Sequence, residues 1–155
     1  MCGFLGDPMR KCRCTPQQIA RYRGRLSGPL RDRMDLTVEV PPVPVSSLTT
    51  AAPGESSATV RARVVAARER QRERYALDRV RTNAELTPAL MVQHCAVDRA
   101  GARLLEIAIT RMVLSARGYD RVRRVACTIA DLVCEDLIST DHLAEALQFR
   151  MLERG

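Results

Sequence analysis

Apolar residues recur at helical spacing through the second half of the chain, and a polar residue typical of a helix start precedes most of these stretches. After Ser56, the spacing of Val60, Val64 and Ala67 predicts an amphipathic helix. Thr87-Pro88, Asp98, Ser115 and Ser139-Thr140-Asp141 predict four further helix starts. The residues expected on the inward faces of these helices are Leu90, Met91, Leu104, Leu105, Ala108, Ile109, Met112, Tyr119, Val122, Ala126, Ile129, Val133, Leu143, Ala146, Leu147 and Met151. The short connections between them predict a small helical bundle.

The first part of the chain has a different pattern. Residues 1–16 are irregular, and residues 17–26 predict a short helix that ends near Gly24. Residues 36–40 alternate apolar and polar side chains, which predicts one strand that stops at Pro41-Pro42. A single strand forms no sheet, and the sequence offers no convincing second one. Residues 41–58 are rich in Pro, Ser, Thr and Ala and predict a linker or loop.

Composition narrows the fold class and excludes two kinds of segment. Of 155 residues, 46% are hydrophobic but only 3% are aromatic, so the core must come from aliphatic side chains, which favours packed helices. No run approaches the ~18 apolar residues of a transmembrane helix, and the first residues lack the pattern of a signal peptide. We therefore expect a cytoplasmic protein that makes no membrane contact and keeps its cysteines reduced.

The net charge of +7 is concentrated at the beginning of the chain. Residues 1–36 hold eight basic against three acidic side chains, a net charge of +5. Such a segment favours an anionic partner, namely nucleic acid, nucleotide phosphate or an acidic protein surface, although a solvated surface has the same pattern. Apart from Tyr22, no aromatic residue is interleaved with these charges, so stacking on bases is not supported.

Candidate chemistry is sparse. The sequence has no GxxxxGK[ST] phosphate loop and no paired acids after an apolar run, so a self-sufficient enzyme is not predicted. His94 and His142 lie in helical stretches and are interpreted as structural or surface residues.

The cysteines fall into two kinds. Cys2, Cys12 and Cys14 offer three of the four thiolates of a structural zinc site, and the alternative is three free cysteines in a loop. Cys95, Cys127 and Cys134 lie in apolar helical stretches, where a free cysteine packs as a small hydrophobe.

Several ordered motifs together resemble one family, the magnesium-chelatase-like AAA+ ATPases of bacteria (the ComM/YifB branch). The resemblance covers nearly the whole chain, in order and with the family's spacing. The motifs are Cys12-Arg13-Cys14-Thr15-Pro16, Tyr22-Arg23-Gly24-Arg25-Leu26, residues 27–36, Gly54-Glu55-Ser56-Ser57, Gln93-His94-Cys95, residues 114–119, residues 124–132 and residues 142–150.

The resemblance implies a mainly α fold. An AAA+ lid-type helical bundle of the magnesium chelatase C-terminal type is expected over residues 57–155. Residues 1–40 would be a remnant of the αβ ATPase core, with a cysteine loop, a short helix and one strand, and residues 41–56 would be the linker. In the family a Cys-Pro-Cys-Gly motif precedes this region. Cys2-Gly3 matches its end and Met1 falls on the Pro, so the fourth thiolate and the ATP-binding motifs are expected upstream of residue 1.

The resemblance also implies roles for two arginines. Arg33, in Asp32-Arg33-Met34-Asp35, matches the arginine finger that contacts the γ-phosphate of a neighbouring subunit in trans; Arg31 and Arg25 are weaker candidates. Arg117 matches the sensor-2 arginine, which reaches the ATP from the lid. For both, the alternative is a surface salt bridge.

The implied function is that of a C-terminal fragment of an AAA+ ATPase, which does not hydrolyse ATP alone. Its partner would be an N-terminal ATP-binding half or a full-length homologue, in a hexamer that serves DNA processing of the branch-migration or helicase type. ATP and Mg²⁺ would be cofactors only of the complete assembly, and zinc would bind at Cys2, Cys12 and Cys14. The alternatives are a stand-alone basic module that binds nucleic acid or protein, and a non-functional gene remnant.

Overall fold

A computed structural model describes residues 2–7, 9–43, 53–112 and 114–151, and these residues are mainly helical. The predicted mainly α class is confirmed. The helices in the described part of the chain are α1 (Pro16–Arg23), α2 (Gly28–Arg31), α3 (Ser57–Arg74), α4 (Pro88–His94), α5 (Arg99–Met112), α6 (Ala116–Leu132) and α7 (Thr140–Met151), with a 3-10 turn at Asn83–Glu85. Most of the predicted linker, residues 44–52, and the side chain of Met151 lie outside the described residues.

Each predicted helix start in the second half is confirmed by a side-chain cap. A cap satisfies a backbone N–H that the first helical turn leaves without a partner, and it stabilises the helix by about 1 kcal/mol. The accepting oxygens are those of Ser56 (from the Thr59 N–H, 3.2 Å), Thr87 (Leu90, 3.4 Å), Asp98 (Gly101, 2.7 Å), Ser115 (Gly118, 3.0 Å) and Ser139 (His142, 3.4 Å).

The core lies around α6, which packs against α3 and α7, while α5 packs against α7. Leu105, Val122 and Leu143 are almost completely buried at its centre. The aliphatic core that the composition predicted is confirmed, with Tyr75 as an aromatic member that the sequence pattern missed. The other buried members are Leu86, Met91, Cys95, Ala108, Ala126, Cys127, Ile129, Ile138, Ala146 and Leu147.

Four residues of the predicted apolar spacing are exposed instead. Val60 and Val64 lie in the first half of α3, where no residue is buried before Ala67, so this half extends past the core. Ile109 is on the outer side of α5. Val133 is 55% exposed because α6 ends at Leu132, before the apolar spacing does.

A buried polar network fixes α3 against α6. Asp131 is 0% exposed, and its Oδ2 accepts hydrogen bonds from Gln71 Nε2 at 3.0 Å, Asn83 Nδ2 at 2.8 Å and Arg74 Nη1 at 3.2 Å. Tyr75 donates its hydroxyl to Asn83 Oδ1 at 2.6 Å. Burial alone would lower the pKa of Arg74, but its hydrogen bonds to Asp131 raise that pKa above the ordinary value. Arg74 therefore stays charged opposite Asp131.

The predicted strand at residues 36–40 is not formed in the described part of the chain. Its residues pair with no other strand, because no partner sequence is present beside them. The Thr37 N–H instead donates to the Phe149 carbonyl of α7 at 3.1 Å. Among described residues, ladder pairing is limited to one isolated parallel bridge between Val97 and Ile138. No described helix is both long and apolar enough to cross a membrane.

Candidate functional site: an arginine-bearing segment on the helical bundle and a cysteine cluster

A single helical turn carries the predicted finger Arg33 just after its end. Ser27 caps α2 by accepting from the Leu30 N–H at 3.3 Å, and Asp32 closes the turn with its N–H on the Gly28 carbonyl at 2.9 Å. Arg33 follows, with its side chain exposed and its Nη1 donating to the Pro29 carbonyl at 3.4 Å. This weak local hydrogen bond leaves most donors of the guanidinium facing solvent.

The residue before Arg33 is tied to the bundle. The Ser115 hydroxyl donates to Asp32 Oδ1 at 2.7 Å while its oxygen caps α6. Arg150 of α7 is 3% exposed, and its Nη2 lies 3.6 Å from the same Asp32 oxygen. Its Nη1 donates to the Met34 carbonyl at 2.5 Å. These contacts involve an ionised partner, which makes them stronger than neutral hydrogen bonds.

Two further contacts extend the same junction. Arg121 of α6 pairs with Asp35, and Thr37 bonds to Phe149 as described above. We call the whole set the latch: Asp32, Met34, Asp35 and Thr37 on one side, and Ser115, Arg121, Phe149 and Arg150 on the other. The latch joins the Arg33 segment to the helical bundle across more than 80 residues of sequence.

The predicted sensor-2 residue, Arg117, lies at the bundle end of the latch. It is the second residue of α6, is exposed, and forms no hydrogen bond or ion pair with the described residues. The path from Arg33 through Asp32 and Ser115 to Arg117 limits the separation of the two Cα atoms to about 18 Å. The structure therefore links the backbones of the two predicted site arginines within that distance, through the Asp32–Ser115 hydrogen bond. Of the weaker candidates, Arg25 packs on the Tyr22 ring instead, at 5.7 Å.

The three N-terminal cysteines come together as the spacing predicted. Cys2 Sγ lies 3.5 Å from Cys12 Sγ and 3.4 Å from Cys14 Sγ, and all three sulfurs lie within 4.8 Å of one another. Backbone N–H groups of Phe4 and then Arg13 donate to the Cys2 sulfur, and with the other two thiols they lower the pKa of Cys2 to about 6. Cys2 is therefore mostly thiolate at neutral pH, which is the form that binds metal.

The cluster fits three corners of a zinc tetrahedron. With Zn–S bonds of about 2.3 Å, tetrahedral sulfurs lie about 3.8 Å apart, close to the observed distances. Among the described residues, no fourth cysteine, histidine or carboxylate joins the group. A bound zinc ion would be held by Cys2, Cys12 and Cys14 and would crosslink both ends of the loop, a structural role.

Basic side chains surround the cluster. Cys2, Phe4, Arg10, Lys11 and Arg13 line an open cavity of about 380 Å³. The Arg10 guanidinium lies over the Phe4 ring at 5.0 Å, an arrangement that orders both side chains. The cavity thus combines positive charge with one aromatic face.

The remaining cysteines divide differently from the prediction. Cys95 and Cys127 are buried and pack as small hydrophobes, as predicted. The hydrogen bond between these two cysteines raises the pKa of Cys127, and burial raises it further. The same hydrogen bond lowers the pKa of Cys95. Cys134 is exposed, which corrects the prediction of an apolar helical setting. It lies beyond the end of α6 with a left-handed φ of 62°.

Both histidines are engaged in local structure. His94 Nε2 lies 2.8 Å from Asp78 Oδ2, and its ring meets the edge of Tyr75 with centroids 5.1 Å apart. His142 Nδ1 accepts from the Ser139 N–H at 3.1 Å, so it closes the reciprocal cap of α7. These local contacts agree with the interpretation of both histidines as structural residues.

Comparison with known proteins gives a consistent result along the chain. Residues 54–150 match the family model described as magnesium chelatase, subunit ChlI C-terminal, and residues 1–48 match the model for magnesium chelatase, subunit ChlI. The chain belongs to the magnesium chelatase family. In this chain, the latch joins a segment matched by one model to a bundle matched by the other.

Individual relatives of this magnesium chelatase family member are bacterial. The uncharacterised protein YifB of Escherichia coli is 45% identical over 92% of this chain, and the competence protein ComM of Haemophilus influenzae is also 45% identical over 92%. An uncharacterised protein of Mycobacterium tuberculosis is 40% identical over 93%. The matched region makes up only 27–28% of each relative, so the chain spans little more than a quarter of their length.

The site residues that sequence reasoning missed are those of the latch on the bundle side. Ser115 was identified only as a helix cap, and Arg150 only as the end of a motif. Neither residue carries a local signal of its partner, because Asp32 is 83 residues before Ser115 and 118 before Arg150 in the sequence.

Proposed function

We propose that this chain supplies the lid and two phosphate-contacting arginines to an ATP site of a magnesium-chelatase-like AAA+ ATPase. The phosphate loop and the magnesium-holding acids of that site come from residues outside these 155. Arg33 acts as the arginine finger on ATP held by a neighbouring subunit, and Arg117 acts as sensor 2.

One observation carries this proposal, namely the exposure of both arginines at the two ends of the latch. An arginine in the first turn of α6 is unfavourable next to the positive end of the helix dipole. A nearby anion offsets that cost. The Asp32–Ser115 hydrogen bond links the residue next to Arg33 to the cap of the helix that carries Arg117, which supports the proposal that both side chains contact one triphosphate.

The chemistry asked of these residues is electrostatic. In phosphoryl transfer, negative charge spreads over the γ-phosphate oxygens and the leaving β-phosphate oxygen in the transition state. A guanidinium fixed beside those oxygens stabilises this charge without giving up a proton. Mg²⁺, when bound with ATP, neutralises the β- and γ-phosphates. The two arginines of this chain orient the phosphates and complete their charge balance.

The test combines the full 155-residue chain with the portion of Escherichia coli YifB that lies outside its match to this chain, and measures ATP turnover. Arg33→Ala is expected to lower kcat by about 10³-fold or more, the range known for arginine fingers. Arg117→Ala is expected to raise the KM for ATP and to lower kcat less.

Arg61→Ala is the matched control, because Arg61 is exposed on α3 and forms no hydrogen bond or ion pair with described residues. Its turnover should equal that of the wild type. Unchanged turnover in Arg33→Ala, with wild-type activity in the control, would reject the finger assignment.

The wider assignments also belong to this proposal. We expect the complete ATPase to be a hexamer that serves DNA processing of the branch-migration or helicase type, with this chain in the cytoplasm. The support is the family membership and the resemblance to the ComM/YifB branch, one of whose members is named a competence protein. A structural zinc ion at Cys2, Cys12 and Cys14 is part of the same proposal, with the sulfur distances as its support.

A second candidate function is nucleic-acid binding by the N-terminal region without ATP. It is favoured by the cavity at the cysteine cluster, where Arg10, Lys11 and Arg13 surround Phe4. In this case, fluorescence anisotropy should show binding of a single-stranded oligonucleotide that weakens steeply as salt rises, and Arg13→Ala should reduce the slope by about 0.7. No binding at low salt would eliminate this function.

A further inference from the structure

The Arg33 segment has no core of its own, so something else must hold it. None of residues 27–37 is buried. Within the segment, the backbone hydrogen bonds are local, from Asp32 to Gly28, Arg33 to Leu30 and Met34 to Arg31. One turn of helix is too short to be stable in water. The contacts that orient the segment are therefore those of the latch.

Arg150 is the most deeply placed member of the latch. It is 3% exposed, contacts Met34 and Asp32 with its two terminal nitrogens, and passes close to α6. A Cβ added at Gly118 would lie 3.2 Å from Arg150 Nη2, so the absence of a side chain at Gly118 makes room for the guanidinium. The first turn of α6 therefore forms part of the surface against which the Arg150 guanidinium packs.

Two residues of the bundle, Ser115 and Arg150, contact the same oxygen of Asp32. Its Oδ1 accepts from Ser115 and lies near Arg150. Ser115 at the same time caps the helix that carries Arg117. A displacement of the first turn of α6 must therefore move Asp32, and Arg33 is bonded directly to Asp32.

We propose that Asp32 and Arg150 are positioning residues for Arg33, and that they make the arginine finger move with the helical lid as one unit. The catalytic consequence rests on the proposed function, whereas the latch itself is a property of this chain alone. The lid then carries the finger toward or away from the ATP whenever the lid changes position.

The first measurement is hydrogen exchange of the Thr37 amide in the full chain, followed by NMR. This amide reports docking directly, because its acceptor is Phe149 of α7. Asp32→Ala is expected to speed its exchange about tenfold or more, the fold-change for losing a hydrogen bond to a charged group. Arg150→Ala should act in the same direction, provided that amides of α6 keep their protection and so show an intact bundle.

Glu39→Ala is the matched control, because Glu39 is an exposed carboxylate of the same stretch and forms no hydrogen bond or ion pair with described residues. It should leave the Thr37 amide unchanged. If Asp32→Ala also leaves that amide unchanged, the latch does not hold the segment and the inference is wrong.

The second measurement is ATP turnover of the reconstituted ATPase. Asp32→Ala is expected to lower kcat by about tenfold with little change in KM, while Asp32→Asn restores most of the activity because it keeps an acceptor for Ser115. If Arg33→Ala lowers turnover but Asp32→Ala does not, the positioning role alone is rejected. If neither substitution lowers turnover, the proposed function is rejected with it.

Discussion

The N-terminal part of this chain and the helical bundle are each ordered by a different kind of interaction. Of residues 2–7 and 9–43, none is buried, and their order rests on helix caps, three clustered thiols and the latch. Residues 53–112 and 114–151 bury an aliphatic core around α6 and a polar network around Asp131. Yet the N-terminal part carries Arg33 and the cysteine cluster.

This contrast shows how a segment without a core is given a defined position. A buried core stabilises its own residues through packing, at about 25 cal/mol for each Å² of apolar surface removed from water. A coreless segment has to take its order from outside, here from the bundle through Asp32 and Arg150. At the other end, the zinc ion proposed at the three thiols would have the same role. Arg33, the arginine predicted to act on ATP, lies within the latch segment itself, between Asp32 and Met34.

The largest effect is expected from Asp131→Ala in the bundle. It leaves the partly buried Arg74 without its carboxylate and removes the acceptor for Gln71 and Asn83. The free energy of unfolding should fall by about 3–5 kcal/mol, as found when one partner of a buried ion pair is removed. Urea denaturation monitored by circular dichroism measures it.

The control for that substitution is Asp136→Ala. Asp136 pairs with Arg70, but its side chain is 91% exposed. Its loss should change the stability by less than about 1 kcal/mol. Equal losses in the two variants would mean that the Asp131 network does not order the bundle.

A smaller decrease in the free energy of unfolding is expected from Gly101→Ala. A Cβ at this position would lie 2.8 Å from Leu143 Cδ1, and Leu143 is 0% exposed and cannot swing into solvent. Overpacking of this kind costs about 1–3 kcal/mol. Thermal unfolding should show a lower Tm, while Gly28→Ala, which meets nothing within 4 Å, should leave the Tm of the bundle unchanged.

The smallest effect on the bundle is expected from Cys14→Ser, which instead changes the N-terminal part. Zinc added to the wild-type chain should slow trypsin cleavage within residues 2–14, and Cys14→Ser should abolish both zinc uptake and this protection. The unfolding free energy of the bundle should change by less than about 0.5 kcal/mol, since Cys14 lies outside the core.

Cys134→Ser is the matched control, because Cys134 is also an accessible free thiol but lies outside the cluster. It should bind zinc like the wild type. If zinc still protects Cys14→Ser from trypsin, the three thiols are not what orders this loop.

The parts of the fold that follow from local chemistry were predictable from the sequence. Caps such as Thr87 and Ser115 act within three residues, so their pattern is visible in any single stretch. The exposure of Val133 was not, because apolar spacing continues past the point where α6 ends. The strand over residues 36–40 failed for a related reason, since alternation describes a strand but supplies no partner for it.

The candidate site was predictable only in part. Arg33, Arg117 and the three cysteines come from motifs and short spacings, so the sequence could indicate them. Arg150 of the latch could not be identified, because an Arg near the end of a helix looks like a solvated residue until its partner from a distant segment is known. The same holds for Asp131 of the buried network, which looks like a solvated residue of an amphipathic helix.

Arg33 and Arg117 of one chain are proposed to contact the same ATP. The most direct test mixes the Arg33→Ala and Arg117→Ala chains in equal amounts with the YifB portion, using fluorescence energy transfer between labelled chains to confirm co-assembly. If both arginines of a chain act on one ATP, every site lacks one of them and turnover stays at the level of the single variants. If they act on different sites, about a quarter of the sites in a cyclic assembly regain both arginines. A rise of turnover to about a quarter of the wild-type value would show that the two arginines act on different ATP molecules.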